Sequence, residues 1–465
     1  MKSTPATDSK DMFAHLIRSF EAADLPYCIL AGYDNYPERI DSDIDFMLPA
    51  RWNARLPEIL AGIAAKCGAQ LVQALNHETT ATYYVLARRR GSTISYLHPD
   101  SSNDYRRSGR RWLNAEAVIA RRRRHAHGFW VPAAEDAFAY YLIKKIDKGS
   151  LDADQAAELT SRYAEDPAAC TERLYALLPP AEAGLIHNAV VRASDFDSRT
   201  WAQVVRNLPQ LQQALHQHAP SLPWPERLRQ GGRDLQRVMQ RCLRPTGLHI
   251  VFLGPDGSGK SSAISAVSQQ LAQAFRSVEY RHLHPGRGSG GNGQAVDNPH
   301  GQAPRGKAGS LAKLLHFWSR YAVGGLLWLY PRRVCSTLTI FDRYYQDLLA
   351  DPARYRYAAS MDFAARLGRL LPQPDLVFIL DAPAEVLQAR KQEVPFAESA
   401  RQRNAYLMLV GEFRRAHVID ASQPVDAVVA RVLAHTLDFL EARTAKRLHL
   451  GPPATHDHLC KNSSY

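Results

Sequence analysis

Gly254-Pro255-Asp256-Gly257-Ser258-Gly259-Lys260-Ser261 decides the fold, because it matches G-x-x-x-x-G-K-[ST] at every fixed position. The flanks read as the context that motif needs: a short apolar strand, Leu248–Leu253, before it, and a helix, Ser262–Ala274, after it. The glycines let backbone N–H groups turn inward and cradle phosphate oxygens at the positive end of a helix. The predicted cofactor-binding set is therefore Gly254, Pro255, Asp256, Gly257, Ser258, Gly259, Lys260, Ser261 and Ser262. Lys260 is placed to reach the β/γ-phosphates and Ser261 to ligate Mg²⁺. ATP and Mg²⁺ are the cofactors this reading requires.

Outward from the loop, strands and helices alternate from Gly247 to about Glu441, the pattern of an α/β doubly wound parallel sheet. Leu338-Thr-Ile-Phe-Asp-Arg-Tyr-Tyr345 places Asp342 at the C-terminal end of an apolar strand, where such sheets put their ligand crevice. Phosphoryl transfer is mainly positioning and charge neutralisation. Asp342 could hold Mg²⁺ through water or accept the acceptor's proton, and Arg343 could grip an anionic acceptor bidentately. One insert breaks the alternation: residues 286–309 hold eight of the chain's 27 glycines, read either as a plain loop or as a phosphate or substrate loop.

Taken together these segments resemble the thymidylate kinases. The loop carries an acidic residue, Asp256, and Leu338–Tyr345 is similar to that family's strand ending in Asp-Arg-Tyr. Pro374–Glu385 and His417–Pro424 resemble its next strand and its last strand with the loop beside the adenine. Arg390-Lys391, Arg401 and Arg403 sit where its basic lid lies. The resemblance implies a catalytic set of Lys260, Asp342, Arg343, Arg390, Arg401 and Arg403, with Asp256 and Arg343 touching the acceptor. On charge pattern alone the lid arginines also read as a solvated helix face. The insert, with Asp297-Asn-Pro-His300 and Pro304-Arg-Gly-Lys307, departs from ordinary thymidylate kinases. It is more similar to the thymidylate kinase-like proteins of bacterial exopolysaccharide and capsule gene clusters, which often carry an N-terminal nucleotidyltransferase-like domain. That resemblance implies a nucleoside monophosphate, sugar or sugar-phosphate acceptor and a place in polysaccharide biosynthesis.

The N-terminal half opens with a helical pattern (Met12, Phe13, Leu16, Ile17, Phe20), then two strands, Tyr27–Ala31 and Ile44–Leu48. Strand period two puts Asp43 and Asp45 on one face, ready to share divalent metal. With Gly32 this resembles the polymerase-β-type nucleotidyltransferase motif, apart from Tyr33 where that family has Gly or Ser. A third carboxylate is expected on a nearby strand, but Thr93–Leu97 has Ser95 there, and Asp100 falls past the strand's expected end. Two readings stand: a metal-dependent nucleotidyltransferase with the P-loop part as ATP-binding regulator, or a scaffold.

With 465 residues, 52.0 kDa and 45% hydrophobic against 22% charged residues, the chain is too long for one domain and too apolar for a disordered one. The expected division is 1–131 nucleotidyltransferase-like, 132–246 helical extension and linker, 247–445 kinase-like, and 446–465 tail. Six scattered cysteines without ligand spacing fit a reduced, cytoplasmic protein. No signal-peptide pattern is present near Met1, and Leu311–Tyr330, interrupted by Lys313, His316 and Arg320, is too broken for a transmembrane segment. That stretch reads as a kinase-core helix, with peripheral membrane contact as the alternative. The +12 net charge favours anionic ligands. The run Arg121–Arg124 reads as a solvated face or a phosphate surface; with little aromatic interleaving, nucleic acid is not an expected partner. The expected partners are ATP and a small phosphorylated or sugar acceptor, with a homodimer left open.

Overall fold

The computed structural model describes residues 5–78, 80–107, 110–192, 196, 198–283, 285, 305–392 and 394–451. Most of the Gly-rich insert (286–304) and most of the expected tail (452–465) lie outside these residues. The chain divides into two compact units. The first comprises Met1–Leu86, Ser95–Val238 and Thr444–Tyr465, and the second Ala87–Ile94 and Met239–Arg443.

The first unit holds β1 (Cys28–Ala31), β2 (Ile44–Met47), β3 (Gln70–Leu75), β4 (Ala81–Arg90) as far as Leu86, β5 (Thr93–Leu97) from Ser95, and β6 (Pro99–Ser102). They form a sheet in the order β1-β2-β6-β4-β3, with β5 paired to β4. Two small hairpins follow, β7 (Asp104–Arg107) with β8 (Arg110–Asn114) and β9 (Arg123–Arg124) with β10 (Trp130–Val131). The helix Pro5–Ala22 lays Met12, Phe13, Leu16 and Phe20 into the core, the apolar face its spacing predicts. Helices between Ala134 and His218 bury a second cluster around Phe138, Leu174 and Leu211. The arginine run is ion-paired rather than free: Arg121 with Asp136, Arg123 with Glu165 and Arg124 with Glu21.

In the second unit, β11 (Leu248–Leu253), β12 (Ser277–His282), β13 (Thr337–Asp342), β14 (Leu376–Asp381) and β15 (Ala416–Asp420) form one sheet, ordered β12-β13-β11-β14-β15. Every pair in it is parallel. β11 and β13 are buried at every position, which explains their near-continuous apolar runs: helices cover both faces of a parallel sheet. Because β13 and β14 flank β11 on opposite sides, the chain leaves β11 at a topological switch point, where an open α/β sheet forms its crevice. This is a mixed α/β architecture compatible with a P-loop kinase-like fold. The expected tail starts later than the sequence suggests, since the helix Val425–Leu448 runs through 446–448.

Candidate functional site

The loop after β11 bends where it does because its glycines occupy left-handed backbone. Gly254 has φ +144°, and a Cβ there would stand 2.6 Å from the Leu380 carbonyl oxygen of β14; at Gly257 (φ +82°) it would stand 2.9 Å from the Leu387 carbonyl oxygen. The helix that follows is Lys260–Leu271, so Lys260 is its first residue and Gly259 its N-cap. Lys260 is buried and spans the loop, its Nζ donating to the carbonyls of Gly254 (2.7 Å) and Pro255 (2.8 Å). Burial, and then the positive charge of Arg343, push the ammonium down to about 8. Ser261 and Ser262 are exposed at the head of the helix, while Ser258 is buried in the loop.

β13 pairs with β11 in register Phe252↔Asp342, which delivers Asp342 beside the loop. Its Oδ2 accepts from the Tyr280 hydroxyl at 3.3 Å, and His282 Nδ1 lies 3.8 Å away. Burial raises the Asp342 pKa, but His282, Lys260 and Arg343 outweigh it, and the carboxyl is held below its ordinary range. Its Oδ1 is buried with no protein hydrogen-bond partner. An acceptor oxygen left bare beside a phosphate loop suits a Mg²⁺ ion or its bound water, the few-ligand arrangement that ion favours.

Arg343 follows with φ +74°, strained backbone for a non-glycine residue, pinned by its N–H to the Phe252 carbonyl at 2.9 Å. Its Nη2 meets Asp256 Oδ1 at 2.5 Å and its Nη1 meets Asp347 Oδ2 at 3.1 Å. Asp347 is fully buried and also accepts from the hydroxyls of Tyr355 (2.8 Å) and Tyr406 (2.6 Å). The other oxygen of Asp256 is held by Arg354, whose Nε pairs with the buried Asp351 at 3.1 Å. Asp256 therefore bridges two guanidiniums. Beside this cluster a cavity of about 140 Å³ is lined by Leu314, Phe317, Leu348, Tyr355 and Tyr357, among others.

Sequence reasoning reached Lys260, Asp256, Asp342 and Arg343, and these four sit together. It missed Asp347, Asp351 and Arg354, although all three lie within 12 residues of Asp342. The available signal was Asp347, Asp351 and Arg354 spaced four and three apart in a segment whose apolar residues otherwise read as core. The lid arginines are spread out. Arg403 forks onto Asp381 at the end of β14 (2.7 and 2.9 Å), Arg401 pairs with Glu398 (2.7 Å) near the Ala350 carbonyl, and Arg390 reaches the Ala421 carbonyl (2.8 Å). Tyr406 connects the helix Phe396–Met408, which carries Arg401 and Arg403, to the buried Asp347.

In the first unit the third carboxylate is not at Ser95. The Ser95 hydroxyl donates to the buried Asp8 at 3.3 Å. Asp100, read from sequence as past a strand end, lies in β6, which pairs in parallel with β2 and sets Asp100 opposite Asp45. Asp100 does lie past the end of β5, but a single residue, His98, turns the chain into a new strand that the sequence reading did not foresee. Burial, and then the charges of Asp45 and Asp43, push Asp100 up to about 8. Around the trio, Tyr83 donates to Asp43 (3.0 Å), Tyr140 donates to Asp45 (2.8 Å), and the Lys144 ammonium contacts Asp45. His98 Nδ1 is 3.7 Å from Asp43. Among the described residues, no three His, Cys, Asp or Glu side chains are gathered so as to hold a metal ion. As these side chains stand, the two-metal arrangement expected at Asp43 and Asp45 does not fit, because Lys144 and Tyr140 take up Asp45.

No protein-family model matches the chain, and no curated protein matches it. Among solved structures it is similar to the thymidylate kinase from Ehrlichia chaffeensis, with a TM-score of 0.30 and 19% identity over 41% of this chain and 99% of that one.

Proposed function

We propose that the second unit is an ATP-dependent phosphotransferase of the thymidylate kinase-like type. The reading rests on one observation: Lys260, Asp256, Asp342 and Arg343 converge at the C-terminal end of β11, where a phosphate loop and a developing charge would meet. The loop N–H groups and Lys260 bind the triphosphate. In the transfer, an acceptor oxygen forms a bond to the γ-phosphorus as the β–γ bridging bond breaks, and ADP leaves with that electron pair. Where the acceptor is a hydroxyl, its proton passes to the Asp342 carboxylate; a phosphate acceptor attacks through an oxygen that is already ionised. Ser261, and Asp342 through water, would hold Mg²⁺, which would supply charge neutralisation on the phosphates.

Arg343 and Arg354 orient the acceptor, and Arg390, Arg401 and Arg403 close over the phosphoryl group once their present partners are exchanged for phosphate oxygens. The acceptor is a nucleoside monophosphate, a sugar or a sugar phosphate; the sugar branch, and with it polysaccharide biosynthesis in the cytoplasm, follows from the sequence resemblance. The test is [γ-³²P]ATP with a panel of these acceptors on the full chain. Label moving to one acceptor class, and lost in Lys260→Ala, supports the reading. ATP consumption unchanged in that variant removes it.

A second reading has its own observation. β6 sets Asp100 opposite Asp45, which would complete the three carboxylates of a nucleotidyltransferase in the first unit only if Lys144 and Tyr140 released Asp45. In that case α-labelled ATP passes to product with pyrophosphate release that survives Lys260→Ala and vanishes in Asp45→Asn, with the P-loop unit acting as an ATP-binding regulator.

A further inference from the structure

The segment Leu311–Tyr330 does not behave as a core helix on both faces. The α-helix Lys307–Gly324, a π-turn Gly325–Leu329 and a last α-turn Tyr330–Val334 form one continuous helical stretch. One face is buried through Leu314, Phe317, Tyr321, Trp328 and Leu329. The other leaves Leu311, Leu315, Val323, Leu326, Leu327 and Tyr330 exposed, with Leu326 and Leu327 67% and 70% accessible. The Tyr330 hydroxyl donates to the Cys242 carbonyl at 2.6 Å, which brings Leu243, 75% accessible, alongside. An apolar ridge of this length on a water-facing helix marks something that covers it.

Charge identifies the cover. From 307 to 334 there are five Lys or Arg and no Asp or Glu, and the acid-free run extends from 298 to 341. Lys307, Lys313 and Arg320 are exposed on the same helix, the last two also lining the cavity beside the Asp347 cluster, while Arg332 and Arg333 are neutralised by Glu279 and Asp375. The chain's longer segments outside the described residues offer little to bury it: 286–304 contain Val296, and 452–465 contain Leu459 and Tyr465, as their large aliphatic or phenolic side chains. A second copy would bring two acid-free basic ridges together. A protein partner is a poor match as well, since leucine and valine are under-represented among protein hot spots.

We infer that this ridge docks the second unit on an anionic lipid surface. The helix lies in the interface plane, its leucines among the acyl chain ends and its lysines and arginines against the headgroups. It does not span the bilayer; among the described residues no helix is long and apolar enough to cross one. The helix Trp224–Leu243 repeats the chemistry independently. None of its residues is buried, and it combines Trp224, Leu228 and Leu235, all exposed, with five arginines against two acids.

The inference stands apart from the catalytic reading and is tested on the full chain by vesicle flotation. Phosphatidylcholine vesicles are compared with vesicles rich in phosphatidylglycerol. Wild type should float at least about tenfold more with the anionic vesicles, and less as salt rises past roughly 0.5 M. Leu326→Glu with Leu327→Glu should cut flotation about tenfold, while the thermal shift given by ATP is kept, which shows that the unit remains folded. Equal flotation on both vesicle types, or a double variant that floats like wild type, overturns it. So does a wild-type dimer in sedimentation that the double variant abolishes without any vesicle binding, because the cover is then a second copy.

Discussion

The two acidic clusters of this chain are built in opposite ways. At the phosphate loop, Asp256, Asp347 and Asp351 are each matched to a guanidinium of Arg343 or Arg354, so a buried group of charges is nearly balanced. At the β2–β6 strand pair, Asp43, Asp45 and Asp100 face one ammonium, Lys144, tyrosine hydroxyls, and the imidazoles of His98 and His77. The consequence is visible in protonation: Asp342 is held down by its cationic neighbours, whereas Asp100 is pushed up to about 8 by burial and by the other two carboxylates. A balanced cluster can receive a phosphate by exchanging partners. An unbalanced one needs an added cation or a retained proton before it can work.

The sharpest way to break this contrast is Lys260→Ala. It should lower ATP-dependent phosphoryl transfer by about 10²–10³-fold or more, since one preorganised charge contact is typically worth that much. Circular dichroism should be unchanged. Transfer within a few fold of wild type would mean that the loop does not carry the reaction.

Asp347→Ala comes next, because it removes one of the two carboxylates that hold the buried Arg343 and leaves the Tyr355 and Tyr406 hydroxyls without their acceptor. The loss should be about 3–5 kcal/mol, read as a lower unfolding midpoint for the second unit. A shift below about 1 kcal/mol would show that Asp256 alone balances Arg343.

A smaller effect concerns His249 on β11, buried with both ring nitrogens unpartnered and pushed down to about 3 by burial and then by Arg333. The folded pKa is depressed, so the native state binds fewer protons than the unfolded one between roughly pH 3 and 6.5. Its contribution is complete above that window and is lost as pH falls toward 3. His249→Leu should flatten the pH dependence of melting of the second unit between about pH 6 and 4. Parallel wild-type and variant curves would contradict the assignment.

The smallest expected change sharpens the comparison from the other side. Asp45→Asn should leave γ-phosphoryl transfer within about twofold of wild type, the range of substitutions far from a reaction centre. A collapse of transfer in that variant would join the two sites functionally.

The loop from Gly254 to Ser262 was legible because all its chemistry is local: glycines at fixed spacing, a strand before and a helix after. Asp342 and Arg343 were legible for a similar reason, as the polar end of a buried apolar strand. Asp100 was not, because its role depends on which strand β6 pairs with and in which register. Nor was Arg354, whose significance lies in reaching Asp256 across 98 residues of chain.

By itself, then, the sequence determined a phosphate-binding loop, the alternation that makes a parallel sheet around it, and a pair of carboxylates on an N-terminal strand. These follow from periodicity and from short-range backbone geometry. Tertiary structure decided which arginines answer Asp256, that a third carboxylate joins Asp43 and Asp45, and that only one face of the helix from Lys307 is core. Each of those depends on contacts between residues far apart in the chain, and no local pattern encodes which distant partner will neutralise a charge or cover an apolar face.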